Sequence, residues 1–232
     1  MPSTPRAFVL HHTHLRAVPA VESIRLHLAD DVLALWRAAQ IETGEPDAAL
    51  PYWAFAWAGG QALARHVLDH PDLVAGRSVL DLASGGGLVA LAAARAGASA
   101  VEAVDVDPLA VAAVRVNAAA NGLAVTARRA DLLAAAPPDR AAPGAGSVVL
   151  AGDVFYERSM AERMLRFLDG ARQSGATVLV GDPRRAYLPR DRFRALAEYA
   201  VPVDADLEDT DVKPTTVWEL CPAAPPGAGK TG

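Results

Sequence analysis

From Ser78 onward the chain repeats one pattern, a short apolar run of strand length followed by a longer stretch with apolar residues at helical spacing. The runs are Ser78-Val-Leu-Asp-Leu82, Val101-Glu-Ala-Val-Asp105, Val125 to Ala127, Ser147-Val-Val-Leu-Ala151 and Thr177-Val-Leu-Val180. Between them, Leu88 to Ala96, Pro108 to Asn121 and Arg158 to Gly170 read as helices. Parallel strands need long crossovers, and a helix covers the sheet face each one passes. The alternation therefore predicts an α/β fold, a doubly wound, mostly parallel sheet. Thr215-Thr-Val-Trp-Glu-Leu220 alternates as a strand and predicts a last antiparallel hairpin, while Phe193 to Ala200 reads as a helix.

Punctuation supports these bounds. Gly97 and Asn121-Gly122 end helices, and Pro108 occupies a first helical turn, where its missing N–H costs nothing. Upstream, Ser23 to Gln40 reads as an amphipathic helix with Leu26, Leu33 and Trp36 on one face, and Gly59 to His70 as a second helix. Residues 1–77 are thus expected to be a helical extension on the same domain, and 78–221 the core. Pro137 to Gly146 reads as an exposed loop, and 222–232, Pro, Ala and Gly with one Lys, as a disordered tail.

Composition narrows the function. Of 232 residues, 22 are Lys or Arg and 27 Asp or Glu, a net charge of −5 that argues against nucleic acid as the partner. One cysteine, Cys221, allows no internal disulfide and fits a reducing cytoplasm. With no signal peptide and no apolar run of membrane-spanning length, a cytoplasmic, monomeric protein away from membranes is expected.

The chemistry concentrates where the runs end. Asp81-Leu-Ala-Ser-Gly-Gly-Gly87 is a strand closing in a glycine loop before a helix, the place where a ligand can approach bare backbone. Gly85-x-Gly87-x-x-Ala90 formally meets the dinucleotide fingerprint, although a ligand-free turn would use the same glycines. Acidic residues at successive strand ends shift the balance: Asp105, Asp131 and Asp153 all face the crevice outside the carboxyl ends of such a sheet. Asp105 can accept both ribose hydroxyl protons and Asp131 an adenine amino proton, whereas Asp107, directly before Pro108, is expected only to cap its helix. No basic residue follows Asp105 to meet a 2′-phosphate and no Lys sits in the loop for a triphosphate. A nucleoside without a phosphate chain fits, and S-adenosyl-L-methionine is such a molecule.

Asp81-Leu-Ala-Ser-Gly-Gly-Gly87, Val104-Asp-Val-Asp-Pro108, Asn117-x3-Asn-Gly122 and Asp153-Val-Phe-Tyr156 together resemble the motif set of Rossmann-like, seven-strand class I methyltransferases. Among these they resemble the protein lysine methyltransferases with an Asp-x-aromatic-aromatic motif after the fourth strand. Ile24 to Asp30, Pro51 to Leu63, Gly181-Asp-Pro-Arg184 and Thr215-Thr-Val-Trp218 resemble the branch that acts on the electron transfer flavoprotein beta subunit. The resemblance runs from about His11 to Leu220. It departs at Ala83, where the family loop commonly has glycine. An alanine is tolerable there if its φ stays negative.

That resemblance implies S-adenosyl-L-methionine as cofactor, held by Trp57, Asp81, Ser84, Gly85, Gly87, Asp105, Asp131 and Gly152. It implies a lysine channel walled by Trp53, Phe155 and Tyr156, with Asp153 orienting the ammonium or taking its proton, and Phe155 and Tyr156 counted with it as catalytic. The aromatic segment Tyr52, Trp53, Phe55, Trp57 suits both cations, since a sulfonium and an ammonium are each drawn to ring faces, although Phe55 reads as core. Other readings remain open: methylation of another protein such as a ribosomal protein, an NAD-dependent oxidoreductase, or an inactive adenosyl-binding module. No metal site is expected from His11, His12 and His14, nor a P-loop from Gly227-Ala-Gly-Lys-Thr231.

Overall fold

The structure is a computed structural model that describes residues 4–44, 49–134, 143–204 and 210–222. The 137–146 loop falls partly, and the last ten residues wholly, outside the described residues. Strands β3 (Ser78–Leu82), β4 (Ala100–Asp105), β5 (Thr126–Arg129), β6 (Val148–Gly152), β7 (Thr177–Asp182), β8 (Phe193–Pro202) and β9 (Val212–Leu220) form one sheet in the order β5-β4-β3-β6-β7-β9-β8. β3 to β7 are mutually parallel, and β9 runs antiparallel to both β7 and β8. This is the predicted seven-strand sheet.

Period-two alternation sends side chains to both faces. Val79, Leu150 and Leu179 pack with α3 (Ala58–Asp69) and α4 (Leu88–Arg95), while Leu80, Val149 and Val178 pack with Met164 and Leu168 of α6 (Arg158–Gln173). The chain order reverses between β3 and β6, so the crevice at the strands' carboxyl ends opens there. α5 (Pro108–Asn121) is bounded as its sequence implies, with Asp107 accepting from Leu109 N–H at 2.7 Å and Gly122 at φ 63.

The extension is not purely helical. α1 (Pro5–His12) leads into a hairpin of β1 (His14–Val18) and β2 (Val21–Leu28), and Asp31 caps a separate helix, α2 (Val32–Thr43). The expected helix over Ser23–Gln40 is therefore corrected. Ile24 and Leu26 bury themselves at period two, Leu33 is half exposed, and α5 completes the free edge of β2. There the Asn121 side chain exchanges two hydrogen bonds with the Arg25 backbone, and Asn117 Oδ1 accepts from His27 N–H at 2.8 Å.

Phe193–Ala200 is likewise strand, not helix. Ala-Leu-Ala-Glu prefers helix by only a few tenths of a kcal/mol per residue. Against that, pairing from Phe193↔Leu220 to Pro202↔Val212 satisfies the outer edge of β9, and a bulge at Ala195/Ala197 absorbs the misfit.

Candidate active site

Three segments converge on the carboxyl ends of β3, β4, β6 and β7. The first is the glycine loop. Asp105 Oδ2 accepts from Gly85 N–H at 2.9 Å and its Oδ1 from Asp107 N–H at 3.0 Å, which sets the carboxylate beside the loop. Burial pushes Asp105 up from the usual carboxylate range, and its backbone donors pull it back. Gly85 and Gly87 both lie at positive φ. So does Ala83, at φ 54, which corrects the expectation of a negative value and places its Cβ in a strained region. Asp81 lies beneath the loop, fully buried, with Oδ2 accepting from Ala90 N–H at 2.9 Å. It braces the loop from below and does not reach the crevice.

The second segment, Pro51 to Gly60, lies across that loop. A Cβ on Gly86 would come within 2.7 Å of the Trp53 carbonyl oxygen, so this glycine exists for the aromatic segment's backbone. Asn117 Nδ2 ties the same loop down by donating to Gly86 O at 2.9 Å. The Trp53 ring is buried among Phe8, Val9 and Leu35, which corrects its expected contact with substrate. Trp57 is half-buried, donates its indole N–H to Tyr52 O at 2.8 Å, and has its ring centroid 6.2 Å from that of Phe55. Tyr52, which sequence reasoning left unassigned, is exposed with its ring centroid 5.8 Å from both Trp57 and Tyr156.

The third segment follows β6. Tyr156 is exposed and its phenol is pushed up, first by burial of the hydroxyl and then by Tyr52 and Asp105, so it remains a donor. Phe155 is fully buried, edge-on to Phe193 at 5.9 Å, and the roles expected for it in catalysis and substrate contact are corrected to core packing. Val154 and Phe155 both turn inward after β6, and Tyr156 is the first side chain of the motif to turn out.

Asp153, at φ 55, is buried and already engaged. Its Oδ2 accepts from Gly59 and Gly60 N–H at the start of α3, and its Oδ1 from Arg185 Nη2 at 2.8 Å. Arg185 was missed by sequence reasoning, although Asp182-Pro-Arg-Arg follows β7 as a charged turn. Asp182 Oδ1 accepts from Arg185 N–H at 2.7 Å, and burial pushes its carboxyl up to about 6. Gly152 makes room for α3, since a Cβ there would lie 2.8 Å from Gly60 Cα. Asp131 is exposed, capping Leu133 and Ala134 with Oδ1 and pairing with Arg163 through Oδ2 at 2.7 Å.

The site fits a nucleoside cofactor at one end and a side chain at the other. Asp105 beside the loop, Gly85 with only Trp53 Cα near its missing Cβ, and a buried Ser84 Oγ without a partner face the first. Tyr52 and Tyr156 face the second.

Sheet order and site together define a class I methyltransferase. The same fold occurs in the Thermus thermophilus 16S rRNA methyltransferase RsmC, solved with AdoMet and guanosine (TM-score 0.50, 21% identity, 72% of this chain and 44% of that one). A family model for ribosomal protein L11 methyltransferase (PrmA) matches residues 62–151, the segment that carries the glycine loop and Asp105. Over nearly the whole length, 94% of this chain and 87% of the relative, the sequence is 35% identical to the Xenopus laevis electron transfer flavoprotein beta subunit lysine methyltransferase. The Rattus norvegicus protein of the same description is 36% identical over 74% of this chain and 68% of its own. The chain belongs to the electron transfer flavoprotein beta subunit lysine methyltransferase family.

Proposed function

We propose that this chain transfers a methyl group from S-adenosyl-L-methionine to a lysine of the electron transfer flavoprotein beta subunit, as a monomer in the cytoplasm. The observation that carries the reading is the opposition, across one crevice, of the Asp105 carboxylate at the glycine loop and the exposed Tyr52–Tyr156 pair. Family membership supports the acceptor, and no feature of the site favours a ribosomal protein or a nicotinamide cofactor.

When bound, the cofactor supplies an electrophilic methyl on a sulfonium. Asp105 keeps lone pairs beyond those given to Gly85 and Asp107, and these hold the ribose hydroxyls, while Ser84 Oγ and the loop amides orient the rest. At the other end Tyr52 and Tyr156 guide the aliphatic stem of the lysine to near-attack distance. A lysine is only ~0.1% neutral near neutral pH, so the site must favour the free amine. Arg185 contributes by balancing Asp153, which denies the incoming ammonium an isolated carboxylate to pair with.

The test is incubation of the beta subunit with enzyme and methyl-labelled S-adenosylmethionine, read by mass spectrometry. Label on a lysine is expected, and no incorporation overturns the reading. Asp105→Ala is expected to lose about 2–3 kcal/mol of cofactor affinity by calorimetry.

A further inference from the structure

Beyond the crevice, its rim carries two residues the chemistry above does not use, Tyr187 and Arg158. Three of the chain's four tyrosines are exposed, and they lie along one lip: Tyr52 before α3, Tyr156 after β6 and Tyr187 after β7. Exposed tyrosines at one site are uncommon without a partner, and Tyr and Arg are the side chains that anchor protein interfaces. Arg158 lies over the Tyr187 ring, its guanidinium carbon 5.4 Å from the centroid. Stacking holds that plane in place while its N–H edges stay open to an acceptor.

The charge there is out of place by the rules of the fold. Arg158 opens α6, at the positive end of the helix dipole, where an acidic residue would be favoured. Its neighbour Glu157 is occupied with the Ser159 and Met160 amides and the Ser159 hydroxyl. Arg158 has no carboxylate partner among the described residues, whereas nearby Arg184 is paired with Glu198. On a chain of net charge −5, an uncompensated guanidinium fixed on an aromatic lip beside the acceptor end of the site is informative.

We propose that Arg158 and Tyr187, continuous with Tyr156 and Tyr52, are the docking lip for a folded acceptor protein whose surface carries a carboxylate beside the lysine to be methylated. Arg158 takes that carboxylate as a planar, bidentate donor, and the tyrosines cover the apolar surface around it. This rests on the methyltransferase reading and adds the chemistry by which the acceptor is recognised.

The experiment labels whole-lysate protein from a strain lacking the enzyme, using added parent enzyme and methyl-labelled S-adenosylmethionine, and then measures KM and kcat on the protein that is labelled and on a short peptide bearing its acceptor lysine. Arg158→Glu and Tyr187→Ala are both surface changes that leave the core intact. Each is expected to raise KM for the folded acceptor by about tenfold or more, with kcat and transfer to the peptide within about threefold of the parent. The salt dependence of the parent's KM is expected to flatten in Arg158→Ala. A KM for the folded acceptor within twofold of the parent in both variants overturns the docking lip. Label on a protein other than the beta subunit overturns only that substrate, with the lip then judged on the labelled protein, and no label at all overturns both.

Discussion

Arg185 grips one oxygen of Asp153 with two donors, Nη2 at 2.8 Å and Nε at 3.2 Å, while the other oxygen of the same carboxylate caps α3. One side chain thereby joins the ends of β6 and β7 to the helix that carries the aromatic segment. The pair is mostly buried, with the two side chains 23% and 9% exposed, so breaking it leaves an uncompensated charge.

Arg185→Met and Asp153→Asn are each expected to destabilise the fold by about 3 kcal/mol. The double variant is expected to lose less than the sum of the two, by at least about 1 kcal/mol. Urea unfolding of the four proteins measures this coupling, and strict additivity would show that the pair does not act as a unit.

The two glycines that open α3 are not equivalent. A Cβ on Gly59 would overlap the Gly181 carbonyl oxygen and lie 2.6 Å from Asp153 Oδ2, whereas one on Gly60 would meet nothing within 4 Å. Gly59→Ala is expected to cost about 2–3 kcal/mol or to prevent folding. Gly60→Ala is expected to be neutral or to gain about 0.5 kcal/mol by stiffening the unfolded chain. Equal melting temperatures for the two variants would mean that α3 is free to move away from the sheet.

Ala83 pays for its left-handed φ of 54 with its Cβ. Replacing it with glycine removes the strain, and the entropy of the added freedom returns part of the gain. Ala83→Gly is expected to stabilise the protein by about 0.5–1 kcal/mol, measured by thermal unfolding without cofactor. A lower melting temperature would show that the loop relaxes its φ in solution.

Asp81 makes apo stability depend on pH. Burial lifts its carboxyl to about 7 from an ordinary value of 3.8, so the folded chain holds this proton more tightly than the unfolded one. The stability linked to it is fully present below the unfolded value and is lost as pH rises toward 7. Between pH 5 and pH 8 the loss is expected to be about 2–3 kcal/mol. Asp81→Asn keeps an acceptor for Ala90 N–H and removes the titration, so its unfolding free energy is expected to be flatter over that range. Parallel pH profiles for parent and variant would refute the assignment.

Much of the site was legible because it is built from local signals. The Asp107 cap and the Asp81 brace lie within nine residues of their backbone targets, and Asp105, though it reaches Gly85 from 20 residues away, marks the end of its own strand. Arg185 was not legible, because its partner lies 32 residues away on a different strand. Nor was Tyr52, whose neighbour Tyr156 is 104 residues on and meets it only when the aromatic segment folds back over the loop.

The sequence by itself determined the alternation of strand and helix from Ser78 to Val180, the chemistry gathered at the strand ends, and the caps at Asp107 and Gly122, since each follows from side-chain period or from a residue's own φ preference. Tertiary structure decided what local preference left balanced. Phe193–Pro202 became a strand because β9 had an edge to satisfy, and Val21–Leu28 became one because β1 and the asparagines of α5 took up its backbone groups. Phe155 went inward and Tyr156 outward because Phe193 supplied an apolar partner for one ring, while the other faced Tyr52 at the crevice. A few tenths of a kcal/mol of propensity per residue is smaller than the cost of one buried, unpaired amide, so long-range pairing overrides it wherever the two conflict.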